Sequence, residues 1–172
     1  ICTICGKNVT NSLSLAEHTP GNWRITVEPT EIAKGTRIKS CTVCGEEVES
    51  EQFSLSAEEI ESRYKNKCQI ISYDELARSP EKYKGKYVQF TGYVVQVCSE
   101  ATSSLYYSTY RVATYGKYDD VVFIYVDNYG SGERILEDDT ITFYGKYDGL
   151  YSYTTVLGAT KTIPSIKVKY VD

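Results

Sequence analysis

Two short phrases, CTICGK at residues 2–7 and CTVCGE at residues 41–46, constrain this 172-residue chain more than any other feature. Each sets two cysteines around a two-residue gap and follows them at once with glycine. The gap lets both thiolates of a knuckle turn toward one ion, and the glycine admits the backbone conformation that aims amide N–H groups at the sulfurs. Together the knuckles supply Cys2, Cys5, Cys41 and Cys44, the ligand set of a tetrahedral zinc site with no open position, and so of a structural one. A thioredoxin-like motif would occur once, between a strand and a helix. The repeat with matching glycines therefore favours metal over redox cycling or disulfide bonding.

His18, the one histidine, lies between the knuckles in AEHTPGNW. Four thiolates already satisfy the ion, so a loop or packing role is expected for it. From Trp23, WRITVE alternates Trp23, Ile25 and Val27 with polar residues, as a half-buried strand does. A second strand, TRIKSCTVC, returns to the second knuckle, and Trp23 is expected to cover the metal.

The order CTICGK, HTPGNW and EPTEIAKGTRIKSCTVCGEEVESE resembles the cysteine-rich zinc-ribbon repeats of bacterial surface and secreted proteins. The resemblance covers roughly the first fifty residues and implies a spacer or interaction module, with no catalysis. It also implies an extracytoplasmic location.

Composition narrows the classes further. The chain is 41% hydrophobic and 24% charged, with a net charge of -4. No apolar run is long enough to span a bilayer as a helix. Residues 71–172 carry eleven Lys/Arg against thirteen Asp/Glu, and no basic cluster stands out. Nucleic acid is accordingly disfavoured as a partner, because phosphate binding depends on clustered cations. With no methionine anywhere, even at the first position, an upstream leader or anchor is expected.

Three regions follow: a zinc ribbon over 1–53, a helical linker over 54–70 and a β-rich domain over 71–172. In the linker, Ser56 and Glu59 form a capping-box pattern, and Ile60 and Tyr64 share one helical face. The third region opens on SYDELARSPEKYKGK, read as a short helix broken at Ser79–Pro80. In KYVQFTGYVVQVC the apolar positions are even before Gly92 and odd after it, which predicts a bulge or sharp coil there. Further short strands, two of them flanking YGKYD phrases read as turns, predict an OB-like barrel of five or six strands.

The segment SYDELARSPEKYKGKYVQFTGYVVQV, continued by ILEDDTITFYGKYDGLYSY and TIPSIKV, resembles uncharacterised bacterial OB-fold domains of the tRNA-anticodon-binding-like group. That resemblance implies the barrel over about a hundred residues. It implies no particular ligand, since such barrels bind nucleic acids, sugars, peptides and proteins.

Sixteen of the 17 tyrosines follow residue 71. Tyrosine fits strand walls as readily as it stacks on bases, and the acidic balance favours the first use. As candidate ligand-binding residues the sequence offers Tyr106, Tyr107, Tyr110, Tyr151 and Tyr153, with Arg111 as the nearest cation. The doublets Asp119–Asp120 and Asp138–Asp139 place adjacent carboxylates on opposite faces of a strand, so they are expected to serve turns and edges. No nucleophile–histidine relay or phosphate loop can be assembled. Cys68 and Cys98 stand as either a disulfide or two buried thiols. The reading is a non-enzymatic binding module with one structural zinc, its partner a protein, peptide or glycan. Binding of single-stranded nucleic acid by tyrosine stacking is the alternative.

Overall fold

The computed structural model describes residue 4 and residues 17–101, 106–117, 119–127 and 134–172. It is mainly β and divides into two compact units, Ile1–Ser56 and Ala57–Asp172.

In the first unit β1 (Pro20–Val27), β2 (Gly35–Cys41) and β3 (Glu47–Phe53) form an antiparallel sheet with β2 in the middle. Arg37 on β2 pairs with Glu51 on β3, and Lys39 pairs with both Trp23 on β1 and Glu49 on β3. The Arg37 guanidinium lies 4.8 Å from the centre of the Trp23 ring and 5.3 Å from that of Phe53, while Lys39 Nζ stands 4.6 Å from Trp23. Both cations are held in place by carboxylates, at 2.8 Å for Arg37–Glu51 and 2.7 Å for Lys39–Glu49. Trp23 is thus occupied by cation–π contacts on the sheet face. Among the described residues of this unit only Pro29, Gly35 and Cys41 are buried. The sheet has no aliphatic core there.

The second unit begins with three helices, α1 (Ala57–Lys65), α2 (Tyr73–Arg78) and α3 (Pro80–Tyr83). Five strands follow: β4 (Tyr87–Ser99), β5 (Tyr107–Thr114), β6 (Val121–Asp127), β7 (Thr140–Thr154) and β8 (Thr160–Val171). They close into a barrel of order β4-β5-β6-β8-β7, antiparallel throughout except for the parallel β6–β8 pair. This topology is compatible with an OB-like barrel. Helix α1 was expected to link two domains. Its Tyr64 instead meets Tyr87 and Tyr170 edge-on, at 5.1 and 5.4 Å between ring centres, which makes the helix part of the barrel unit. Helix α2 starts with a capping box, Ser72 accepting from the Glu75 N–H while Glu75 reaches back to the Ser72 backbone.

Strand β4 departs from the parity expected of it. Val88, Phe90, Gly92 and Val94 all face inward, so the alternation runs unbroken through the glycine. The register shift comes later, between Val94 and Gln96, and brings Val97 against the core. Gly92 serves a different end. A Cβ there would sit 2.6 Å from the Ala113 carbonyl oxygen and from Val112 Cγ1, so the missing side chain lets β4 pass close over β5.

The two YGKYD phrases adopt different structures. The first is a turn: Tyr115 and Gly116 both take positive φ, 53° and 73°, and the Lys117 N–H bonds back to the Thr114 carbonyl at 3.0 Å. The second, expected to be a turn as well, lies inside β7, whose 15 residues absorb two of the expected strands. Gly145 there faces β8, where a Cβ would meet the Lys167 carbonyl oxygen at 2.3 Å. The interior is filled by fully buried side chains, chief among them Phe90, Phe143, Leu76, Ile124 and Ile166. Tyr147 joins them and donates its hydroxyl to the Leu76 carbonyl at 2.9 Å, tying α2 to β7. Burial, with Glu81 nearby, pushes its phenol pKa up to about 12.

Replacing Gly145 with alanine forces a methyl group against backbone that cannot yield. We expect a loss of about 1–3 kcal/mol, the usual cost of overpacking, read from the urea midpoint of the barrel unit. An unchanged midpoint would show that β7 and β8 do not approach so closely.

Candidate metal centre

The second knuckle is built by its own backbone. Cys41 ends β2, its N–H donates to the Glu46 carbonyl at 2.7 Å, and its carbonyl accepts from the Gly45 N–H at 2.9 Å. Gly45 has φ of 82°, the left-handed turn that a glycine after the second cysteine permits. That turn points the Val43 N–H at Cys41 Sγ, 3.4 Å away. Amide donors from Cys44 and Val43, helped by His18 and opposed by burial, draw the Cys41 thiol pKa down to about 6. At neutral pH this sulfur is the thiolate that a metal requires.

His18 comes to the same place because Thr42 hydrogen-bonds to the carbonyl of Thr19, from its N–H at 2.9 Å and from its hydroxyl at 3.4 Å. The imidazole Nδ1 stands 3.3 Å from Cys44 Sγ, and Nε2 lies 3.6 Å from the Glu46 carboxylate. The donor atoms of His18, Cys41 and Cys44 all fall within 4.8 Å of one another, so these three residues could hold a metal ion. Ligands at zinc bond lengths on neighbouring corners of a tetrahedron stand about 3.5–3.8 Å apart; the His18–Cys44 pair is close to that spacing, and the whole group is wider. A carboxylate behind the second ring nitrogen is also the usual support of a metal-bound histidine. His18, expected in a loop or packing role, stands beside both cysteines of the knuckle, where its ring nitrogen could serve as a third donor. A sequence signal existed in the Glu46 that follows the knuckle glycine, but only the fold shows the three together. Cys2 and Cys5 lie outside the described residues, among which no other group of three such side chains converges.

The candidate ligand residues on the barrel separate by strand parity. Tyr110 was expected on the surface and is instead 3% exposed, pointing into the core with Val112 and opposite Ile124. The odd positions of β5 face out. There the Arg111 guanidinium lies 3.6 Å from the Tyr153 ring centre and donates from Nη1 to Gln96 Oε1 at 2.6 Å, while its buried Nε has no hydrogen-bond partner. Tyr153 stacks on Tyr151, and Tyr151 lies flat on Phe123, 4.0 Å between centres and 13° between planes. Tyr107 meets Tyr125 edge-on at 5.9 Å, and Tyr106 is 67% exposed. The fold thus unites Arg111, Tyr151 and Tyr153 in one stack and adds Phe123, which the sequence reading did not single out. Its signal was the presence of apolar residues at both parities of VVFIYV, the mark of a strand covered on both faces.

Cys68 and Cys98 are free thiols, which excludes the disulfide among the two alternatives. Gln69 bridges to Val88 near the start of β4, whereas Cys98 is ten residues further along that strand. The separation is about 30 Å along β4, far beyond the reach of a disulfide. Burial raises the pKa of both thiols. The aspartate doublets serve loops: Asp139 accepts from the Leu136 N–H at 2.7 Å, Asp138 from the Tyr93 hydroxyl, and Asp120 lies 3.7 Å from Lys117.

No family model, curated protein or solved structure matches the chain.

The lowered pKa of Cys41 sets a pH dependence. A depressed thiol stabilises the fold at and above the ordinary thiol range, and that contribution is lost as pH falls through about 6. In reduced, metal-stripped protein we expect one thiolate absorbance step near pH 6 that vanishes in Cys41→Ser. A single step confined to the ordinary thiol range would contradict the knuckle geometry.

Proposed function

We propose that the chain is a non-enzymatic interaction module whose first unit is a zinc ribbon, held together by one structural ion. The observation that carries this is how little the described residues of that unit bury. A three-stranded sheet whose described residues bury only Pro29, Gly35 and Cys41 cannot offset its own ordering entropy, and a metal is the usual remedy at this size. Cys41 and Cys44 are ligands in this proposal, joined by thiolates from Cys2 and Cys5. His18, backed by Glu46, either takes the place of one of these or donates an N–H to Cys44. The carboxylate behind it favours direct ligation.

The barrel supplies the interaction surface on its outside. Its interior is packed with side chains, so a partner meets the wall and the loops. The strand order and the one parallel pair support an OB-like barrel. Resemblance of the first fifty residues to ribbon repeats of surface and secreted proteins supports a location outside the cytoplasm, with a protein, peptide or glycan partner. The Arg111–Tyr153–Tyr151–Phe123 stack favours a second reading, single-stranded nucleic acid, which pairs aromatic rings with cations. Those rings already cover one another, which makes it the lesser reading.

Metal analysis of the full chain should return one zinc per molecule. Cobalt substitution should give thiolate charge-transfer bands, and ligand-field bands that shift in His18→Ala if the imidazole is bound. Metal-free protein with intact β1–β3 would overturn the proposal. For the second reading, a labelled oligothymidine should bind with an affinity that falls steeply as salt rises; no binding at low salt removes it.

A further inference from the structure

We propose that the tip of the β7–β8 hairpin is a membrane-interface anchor, which enters the headgroup region of a lipid bilayer through Val156 and Leu157. This goes beyond the module proposed above and does not depend on its zinc.

The hairpin projects from the barrel over paired positions running from Leu150↔Pro164 to Thr154↔Thr160. At its apex Val156 is 105% and Leu157 96% exposed, so neither touches the rest of the protein to any extent. Adjacent large aliphatic side chains held fully in water are costly where nothing covers them. Three further observations identify what does.

First, the twelve residues from Gly149 to Thr160 contain no charged side chain. A charge near the apex would oppose entry into lipid. Second, the N–H groups of Thr155, Gly158 and Ala159 bond within the apex. The Thr155 N–H donates to the Ala159 carbonyl at 2.8 Å, the Gly158 N–H to the Thr155 carbonyl at 2.9 Å and the Ala159 N–H to Thr155 Oγ1 at 3.1 Å. Lower down, the Ser152 and Thr162 hydroxyls pair at 2.7 Å. Pairing these groups within the hairpin lowers the cost of carrying them into lipid.

Third, the base of the hairpin has interfacial chemistry. Tyr151 and Tyr153 lie five and three residues below Val156, with Lys161 directly opposite Tyr153. Tyrosine rings and lysine ammonium groups are the side chains that settle at headgroup level. The stacking of both rings onto Phe123 and Arg111 fixes the arm to the barrel, so the tip is presented as a rigid wedge. A single anchor of two aliphatic residues binds weakly and reversibly.

The test is flotation of the full chain with vesicles of phosphatidylcholine, alone or mixed with phosphatidylglycerol. We expect binding to both, stronger on the anionic mixture. The Val156→Asp/Leu157→Asp variant should lower the vesicle-bound fraction about tenfold or more, given the cost of charge in lipid. Lys161→Gln should remove only the preference for anionic lipid. Leu157→Trp should show a blue-shifted emission component when vesicles are added. The substituted positions are wholly exposed, so near-ultraviolet dichroism should be unchanged. Failure of the native chain to float, or flotation of the double-aspartate variant at the native level, would each overturn the proposal.

Discussion

Strand β4 is hydrogen-bonded to two partners in succession, and the barrel exists because of it. Residues Tyr87–Tyr93 pair with β7, and Gly92–Ser99 pair with β5, so one strand closes both edges of the sheet. The handover falls at Gly92 and Tyr93, where a side chain on the glycine would collide with the backbone of β5. Once closed, the sheet has no edge to protect and its interior becomes a packed column of Phe90, Phe143, Ile124 and Ile166. Among the described residues, the barrel thus presents side chains to solvent on its outer wall and on the hairpin that projects from it.

The two units are held by different forces. In the barrel, cohesion comes from apolar area removed from water; Cys68 is only half-buried and Cys98 is exposed, so neither is the buried thiol that was the alternative to a disulfide. The first unit spends its aromatic residues on cations: Trp23 and Phe53 lie against Arg37 and Lys39, which are paired with Glu51 and Glu49. Exposed ion pairs of this sort contribute little, and cation–π contacts in water only somewhat more. Beside these, the described residues hold a knuckle that turns amide N–H groups toward Cys41 and lowers its pKa.

How much of this could be read in advance depended on whether the deciding contact was local. The knuckle was legible because CxxCG carries its turn within five residues. The mainly β barrel was legible from alternation and turn spacing. Tyr110 was misplaced because its neighbours Tyr106 and Tyr107 obscure which parity of β5 is buried. The YGKYD phrases show the limit most plainly. The same five residues open on a left-handed turn at Tyr115 and Gly116 in the first phrase and form continuous strand at 144–148 in the second, because there β8 lies against Gly145, twenty-three residues before its partner Val168. His18 was set aside on ligand number, and the tether from Thr42 to Thr19 that delivers it to Cys44 is a contact across 23 residues.

The central claim is that metal holds the first unit while the barrel stands on its own core. Amide hydrogen exchange on the full chain, with and without a strong chelator under reducing conditions, tests it most directly. Chelation should release protection across β1, β2 and β3 and leave Val88, Phe90, Val112 and Ile124 as slow as before. Protection that stays in the first unit, or is lost from both together, would contradict the account.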